Sequence, residues 1–174
     1  MGAVGKQRLI IMRHAKSDWA TGAGGDFDRP LSGRGRKAAP RMGKWLKQEK
    51  LIPDLMVTSP ALRARQTACM AAERLGIAGE SIEQDRRIYE NSLSILLDVV
   101  TAHCGGVDTL MVVGHNPGLE ELLCHLAAAP PPRDVQGKLL TAGAVAVLDF
   151  DDGISAAAGC GNLLTLMRPK DLKS

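Results

Sequence analysis

An arginine and a histidine stand side by side at positions 13 and 14, directly behind the apolar run of residues 9–12 in RLIIMRHAKSDW. Polar groups at the edge of a core cost stability unless they are satisfied there. A neutral imidazole held by one ring nitrogen can attack an electrophile through the other, and histidine forms covalent intermediates. The planar guanidinium fork suits tetrahedral oxyanions and stays charged throughout the physiological range. A second cluster lies in SPALRARQTA, with Arg63 and Arg65 close to a helix start. Two residues apart is about 200° around a helix, so at most one of them faces a given pocket. Free N–H groups at a helix start add a favourable anion environment. The third cluster is VVGHNPG, where His115 follows an apolar run and can donate to an anion or orient a nucleophile. His103 and His125 read as helix-face residues. The spacing of His115 and His125 is not that of a one-face zinc pair, so no metal is inferred.

The elements that must position these groups alternate. RLIIMR reads as a buried strand. A helix opens near Ser32, a fitting N-cap, with Ala38, Met42, Trp45 and Leu46 as an apolar stripe and Pro40 expected to kink or delay it. Residues 53–59 read as a strand and the next seventeen as a helix, with Ser59 as its cap, Pro60 in its first turn and Gly76 as its close. Residues 80–88 suggest a short strand. NSLSILLDVVTAHC and PGLEELLCHLAAA read as helices flanking the strand DTLMVVG, and GAVAVLDF and NLLTLMRP as two antiparallel strands. Strand–helix alternation predicts an α/β fold, a three-layer α/β/α sandwich with a largely parallel central sheet. Ligands bind beyond the carboxyl ends of such strands, which is where all three clusters fall.

The bulk composition bounds the function. At 174 residues the chain fits one domain, residues 1–174, with 45% hydrophobic and 24% charged residues. A net charge of +3 and 3% aromatics suit a small anionic group and argue against nucleic acid. No apolar run reaches the roughly 18 residues of a membrane span, and the chain start has no signal-peptide core, so a cytoplasmic location is expected. Four scattered cysteines predict buried free thiols rather than disulfides or zinc ligands. Residues 34–50 hold seven basic side chains against Glu49, a solvated face or a docking surface for an acidic partner. The glycine-rich GAGGD at 22–26 reads as a flexible loop at the site mouth, with Arg29 pairing an acid nearby.

Taken together, RHA after a strand, RPLSGRGRKAA, TSPALRARQTA and VGHNPGLEELL resemble the histidine phosphatase superfamily, and most of all its SixA-type phosphohistidine phosphatases. The resemblance runs from Arg8 to about Leu172. It implies the phosphoglycerate-mutase-like fold and a two-step phosphoryl transfer without cofactor or metal. His14 matches the nucleophile, Arg13 and Arg63 the phosphate-binding residues, and His115 a catalytic pocket position. Arg63, not Arg65, holds the motif position. For the general acid, Glu90 in RRIYEN stands where larger members carry a glutamate, with Asp18 a second candidate. Ala15 replaces the usual glycine and is expected to take a conformation glycine adopts more easily. The implied substrate is phosphohistidine in a protein partner, such as a histidine phosphotransfer domain. The alternatives are a small phosphorylated substrate, handled by a phosphomonoesterase or mutase of the same superfamily, and a non-catalytic phosphate-reading module. A phosphohistidine substrate relaxes the need for an acid, because a protonated imidazole leaves readily.

Overall fold

A computed structural model describes residues 5–19 and 24–173. The first four residues of the chain start and residues 22–23 of the glycine-rich stretch lie outside the described residues.

The first strand, β1 (Gln7–Arg13), shows why the run at its centre is apolar throughout. Leu9 and Ile11 enter one core cluster and Ile10 and Met12 enter another, because alternate side chains leave opposite faces of a strand. A strand buried on both faces needs helices on both sides. Those helices are α1 (Gly33–Gln48) and α2 (Leu62–Leu75) on one face, and α3 (Leu93–His103) and α4 (Gly118–Leu126) on the other. The remaining strands are β2 (Leu55–Thr58), β3 (Glu83–Gln84), β4 (Thr109–Gly114), β5 (Val145–Phe150) and β6 (Asn162–Met167). Their order in the sheet is β3-β2-β4-β1-β5-β6. The pairs β3/β2, β2/β4 and β4/β1 are parallel, and β5 runs antiparallel to both β1 and β6. The fold is thus a three-layer α/β/α sandwich whose sheet is mostly parallel.

Local chemistry sets the helix ends. The Ser32 hydroxyl accepts from the Gly35 N–H at 3.2 Å and caps α1. The helix then runs through Pro40, burying Gly35, Ala39, Met42, Gly43 and Leu46. Gly43 is there because of close packing: a Cβ would lie 2.7 Å from the Ala71 carbonyl oxygen of α2. Gly76, with φ of 75°, closes α2 in the left-handed conformation.

Four expectations need correction. Ser59 does not cap α2; Ala61 immediately precedes that helix, and the Ser59 hydroxyl is engaged elsewhere. The expected strand at 80–88 shrinks to two residues between short 3-10 turns, because it pairs only with the end of β2. None of the cysteines is buried: Cys69 and Cys124 are exposed, Cys104 and Cys160 half-buried, and all four are free thiols. Small thiols on outward helix faces and loops escape the core even though the residue type favours it. Ala15 takes no left-handed conformation, since Lys50 alone among described non-glycine residues has a positive φ. Among the described residues no helix is long and apolar enough to cross a membrane.

Candidate active site

Strand register brings the site together. In the parallel β1/β4 pair, Arg13 stands opposite Gly114, so His14 and His115 are the next residues out of adjacent strands. The His14 N–H donates to the Gly114 carbonyl at 2.9 Å, and the two imidazole centroids lie 5.2 Å apart. On the other flank, Thr58 of β2 pairs with Val113 of β4, which sets Ser59 at the same level. Arg63 follows in the first turn of α2. Three strand ends and one helix start therefore converge on one point.

The hydrogen bonds assign the protons. His14 Nδ1 lies 2.7 Å from the Ala15 carbonyl oxygen, which can only accept, so Nδ1 carries the hydrogen and Nε2 keeps its lone pair. Thr67 holds this turn in place by accepting the Ala15 N–H at 3.0 Å. His115 Nε2 lies 2.7 Å from Ser59 Oγ. That oxygen already accepts the Ala61 N–H, and Ser59 is fully buried, so its hydroxyl hydrogen goes to His115 Nε2. The His115 hydrogen then sits on Nδ1. Three buried donors carry no hydrogen-bond partner among the described residues: Arg13 Nε, Arg63 Nε and His115 Nδ1. All three residues line the same cleft as His14.

Arg13 and Arg63 are anchored by their other nitrogens. Arg13 donates to the Leu140 carbonyl at 3.0 Å. Arg63 donates to the Asp26 carbonyl at 2.7 Å and to its carboxylate at 3.1 Å. The same carboxylate accepts from Arg29 at 3.0 Å and from the Tyr89 hydroxyl at 2.8 Å. Tyr89 in turn meets the His115 ring edge-on at 5.6 Å. Asp26 is therefore a hub joining the loop before α1 to the α2 arginine and to the His115 neighbour. Burial tends to raise its carboxyl pKa, but the hydrogen bonds from Tyr89 and Arg29 and the charge of Arg63 outweigh this and hold it at about 2.

Burial lowers both imidazoles: His14 to about 3, with the charges of His115, Arg63 and Arg13 adding to the effect, and His115 to about 4, helped by Arg63. Both are neutral near neutral pH. Below the ordinary value of 6.5 the unfolded chain binds protons that the folded chain refuses, so stability falls with falling pH from about 6.5 toward 3. Urea unfolding at a series of pH values is expected to show this loss, and His14→Gln is expected to flatten it by up to about one proton. An unchanged slope would show that His14 is not buried neutral.

Other residues are placed as follows. Arg65 folds back to the Pro60 carbonyl at 2.8 Å and does not line the cleft. Glu90 does not reach it either: its side chain is 68% exposed and pairs with Arg86 at 3.7 Å. It follows the short 3-10 turn at Arg86–Ile88. Asp18, half-buried between the cleft residues Ser17 and Trp19, places its backbone N–H on the Pro30 carbonyl. Arg29 both pairs with Asp26 and lines the cleft, and Lys16 is an exposed lining residue. Sequence reasoning misses Asp26, Ser59, Tyr89 and Glu120. For Asp26 a signal exists in its i,i+3 spacing to Arg29. Ser59 is visible but reads as a cap. Among the described residues no cluster of His, Cys, Asp and Glu could hold a metal ion.

The arrangement can hold a tetrahedral oxyanion against a neutral imidazole, and comparison with known proteins gives the family. The model of the histidine phosphatase superfamily (branch 1) matches residues 9–99. An uncharacterized protein of Mycobacterium tuberculosis is 32% identical over 160 residues, 85% of this chain and 97% of that one. The phosphohistidine phosphatase SixA of Escherichia coli is 28% identical over 169 residues, 95% of this chain and 96% of that one. A solved structure of the protein histidine phosphatase SixA complexed with tungstate superposes with a TM-score of 0.79 at 26% identity, covering 96% of this chain and 100% of that one. With the family model spanning half of the sequence, the chain belongs to the histidine phosphatase superfamily.

Proposed function

We propose that this protein is a phosphatase that hydrolyses phosphohistidine in a protein partner through a phosphorylated His14. The observation that carries the reading is the tautomer of His14, with Nδ1–H on the Ala15 carbonyl and the Nε2 lone pair left in a cleft with three unpartnered buried donors. His14 Nε2 attacks phosphorus and forms an N–P bond as the substrate's own N–P bond breaks. The departing imidazole leaves neutral, having been protonated on its other nitrogen. Water then attacks phosphorus, releases inorganic phosphate and restores His14. Charge spreads over the phosphoryl oxygens in the transition state, and Arg13, Arg63 and His115 Nδ1–H are the donors aimed at it. Catalysis by these groups requires no metal.

Leaving-group chemistry favours phosphohistidine over phosphate esters. An alkoxide needs a proton from a positioned acid. The carboxylates lining the cleft are both committed. Glu120 accepts the Leu140 N–H at 2.9 Å. Asp134 is held at about 2 by the hydrogen bond from Lys170, aided by backbone N–H groups of Lys138 and Gln136. Glu90 is outside the cleft. The similarity to SixA, a phosphohistidine phosphatase in Escherichia coli, supports the same choice. A substrate panel tests it, with a phosphohistidine protein, phosphotyrosine peptides, sugar phosphates and phosphoglycerate. The phosphohistidine protein is expected to exceed the esters in kcat/KM by about 10²-fold, the lower end of what a positioned acid contributes. Faster turnover of any ester, or isomerisation of phosphoglycerate, would overturn the assignment.

A further inference from the structure

Ten of the chain's 22 lysines and arginines line the cleft, with two of its 19 carboxylates; the rest of the chain carries 12 bases against 17 acids. The positive charge is therefore gathered on one side of a nearly neutral molecule. Of these ten, Arg13 and Arg63 carry the buried, unpartnered Nε atoms in the cleft with His14. Arg34, Lys37 and Arg41 form the wall built by α1, and all three are exposed. With exposed Lys44 they stand at i, i+3, i+7 and i+10, a single stripe about 15 Å long on the side of α1 away from its buried residues. None of the four forms an ion pair among the described residues.

This stripe works against the helix that carries it. Arg34 and Arg36 occupy the first turn of α1, which holds no acidic residue. Cations are unfavourable at a helix N-terminus, and like charges three or four residues apart repel. A local rule broken without a gain to the fold points to use by something else. Trp19 adds a second exposed feature at the same rim: it is 75% exposed, with the Arg29 guanidinium 3.5 Å from its ring centroid. Lys44 lies outside the cleft, so a small phosphorylated molecule held there would leave the far end of the stripe unused.

We infer that the α1 stripe docks an acidic helix of the phosphoprotein substrate, whose carboxylates on one face lie along Arg34, Lys37, Arg41 and Lys44 while the phosphohistidine enters the cleft. The inference rests on the phosphohistidine reading for the group at the floor. Charge complementarity fixes the occupant, and the length of the stripe matches two to three turns of a partner helix.

Binding to the full chain carrying His14→Ala separates docking from turnover. Two helical peptides serve as probes, each with a central phosphohistidine, one with four glutamates on one face and the other with four glutamines there. The glutamate peptide is expected to bind about tenfold more tightly at low salt, with the preference shrinking as salt rises. Arg34→Glu/Lys37→Glu is expected to erase the preference while raising Tm, because carboxylates suit the first turns of a helix. A gain in Tm rules out misfolding as the cause. Equal affinity for the two peptides, an unchanged preference in the double variant, or tighter binding of an oligonucleotide of matched charge would overturn the proposal. Turnover of the same peptides by the parent chain judges the phosphohistidine reading separately, and the binding result decides the docking surface in either case.

Discussion

His14→Ala is expected to lower turnover of a phosphohistidine protein by about 10⁴-fold or more, the scale seen when a covalent nucleophile is removed. The reasoning starts from the hydrogen on Nδ1. With that hydrogen on the Ala15 carbonyl, Nε2 is a free lone pair in the cleft, and depressed basicity keeps it unprotonated at neutral pH. Alanine leaves the donors in place and so retains oxyanion binding while losing the attacking atom. Rapid quench with radiolabelled substrate provides the direct measurement. The parent chain is expected to carry acid-labile, base-stable label, and the variant none. Because His14 is neutral and is linked by its side chain to one backbone carbonyl, its loss leaves no buried charge unpaired. A variant that kept turnover within tenfold of the parent would exclude His14 as the nucleophile.

Arg63→Ala is the second large effect, a loss of about 10²–10³ in kcat, as for removal of one donor to a developing charge. The residue is 5% exposed and its Nε has no partner among the described residues, so its remaining donor capacity is directed into the cleft. The loss is expected mainly in kcat, since the charge it meets grows as phosphorus is transferred. Arg63→Lys keeps the charge and loses the fork, and is expected to recover only part of the rate. Asp26 keeps Arg29 and Tyr89 as donors in both variants, so the loop around it stays anchored. Near-parental kcat in Arg63→Ala would remove this arginine from the transition state.

What could be read from residue order was set by short-range rules. Apolar runs named the strands, and the parallel topology put their ends on one edge, so Arg13, His14 and His115 were legible as a group. Which of Arg63 and Arg65 turned inward was not fixed by spacing, because a helix rotates both and only tertiary contacts choose between them. Arg63 is drawn to Asp26, and Arg65 to the Pro60 carbonyl. Beyond its i,i+3 spacing to Arg29, nothing local marks Asp26, because it sits in a stretch without periodicity and its other partners are 37 and 63 residues away. Ser59 was seen for the wrong reason: a hydroxyl before a helix reads as a cap, whereas burial beside His115 gives it a different partner. Glu90 lies two residues past a short 3-10 turn and pairs with Arg86 in solvent, a placement that no periodic pattern in the chain encodes.

The anchoring of Arg63 by Asp26 shifts when the entropy of a long side chain is lost. A guanidinium free to sample rotamers would have to be frozen as phosphate arrives, at about 0.5–1.5 kcal/mol for each such side chain. Here two of its nitrogens are already held when the chain folds. The immobilisation is thus charged to folding, and the arriving anion meets a donor that has no disorder left to surrender.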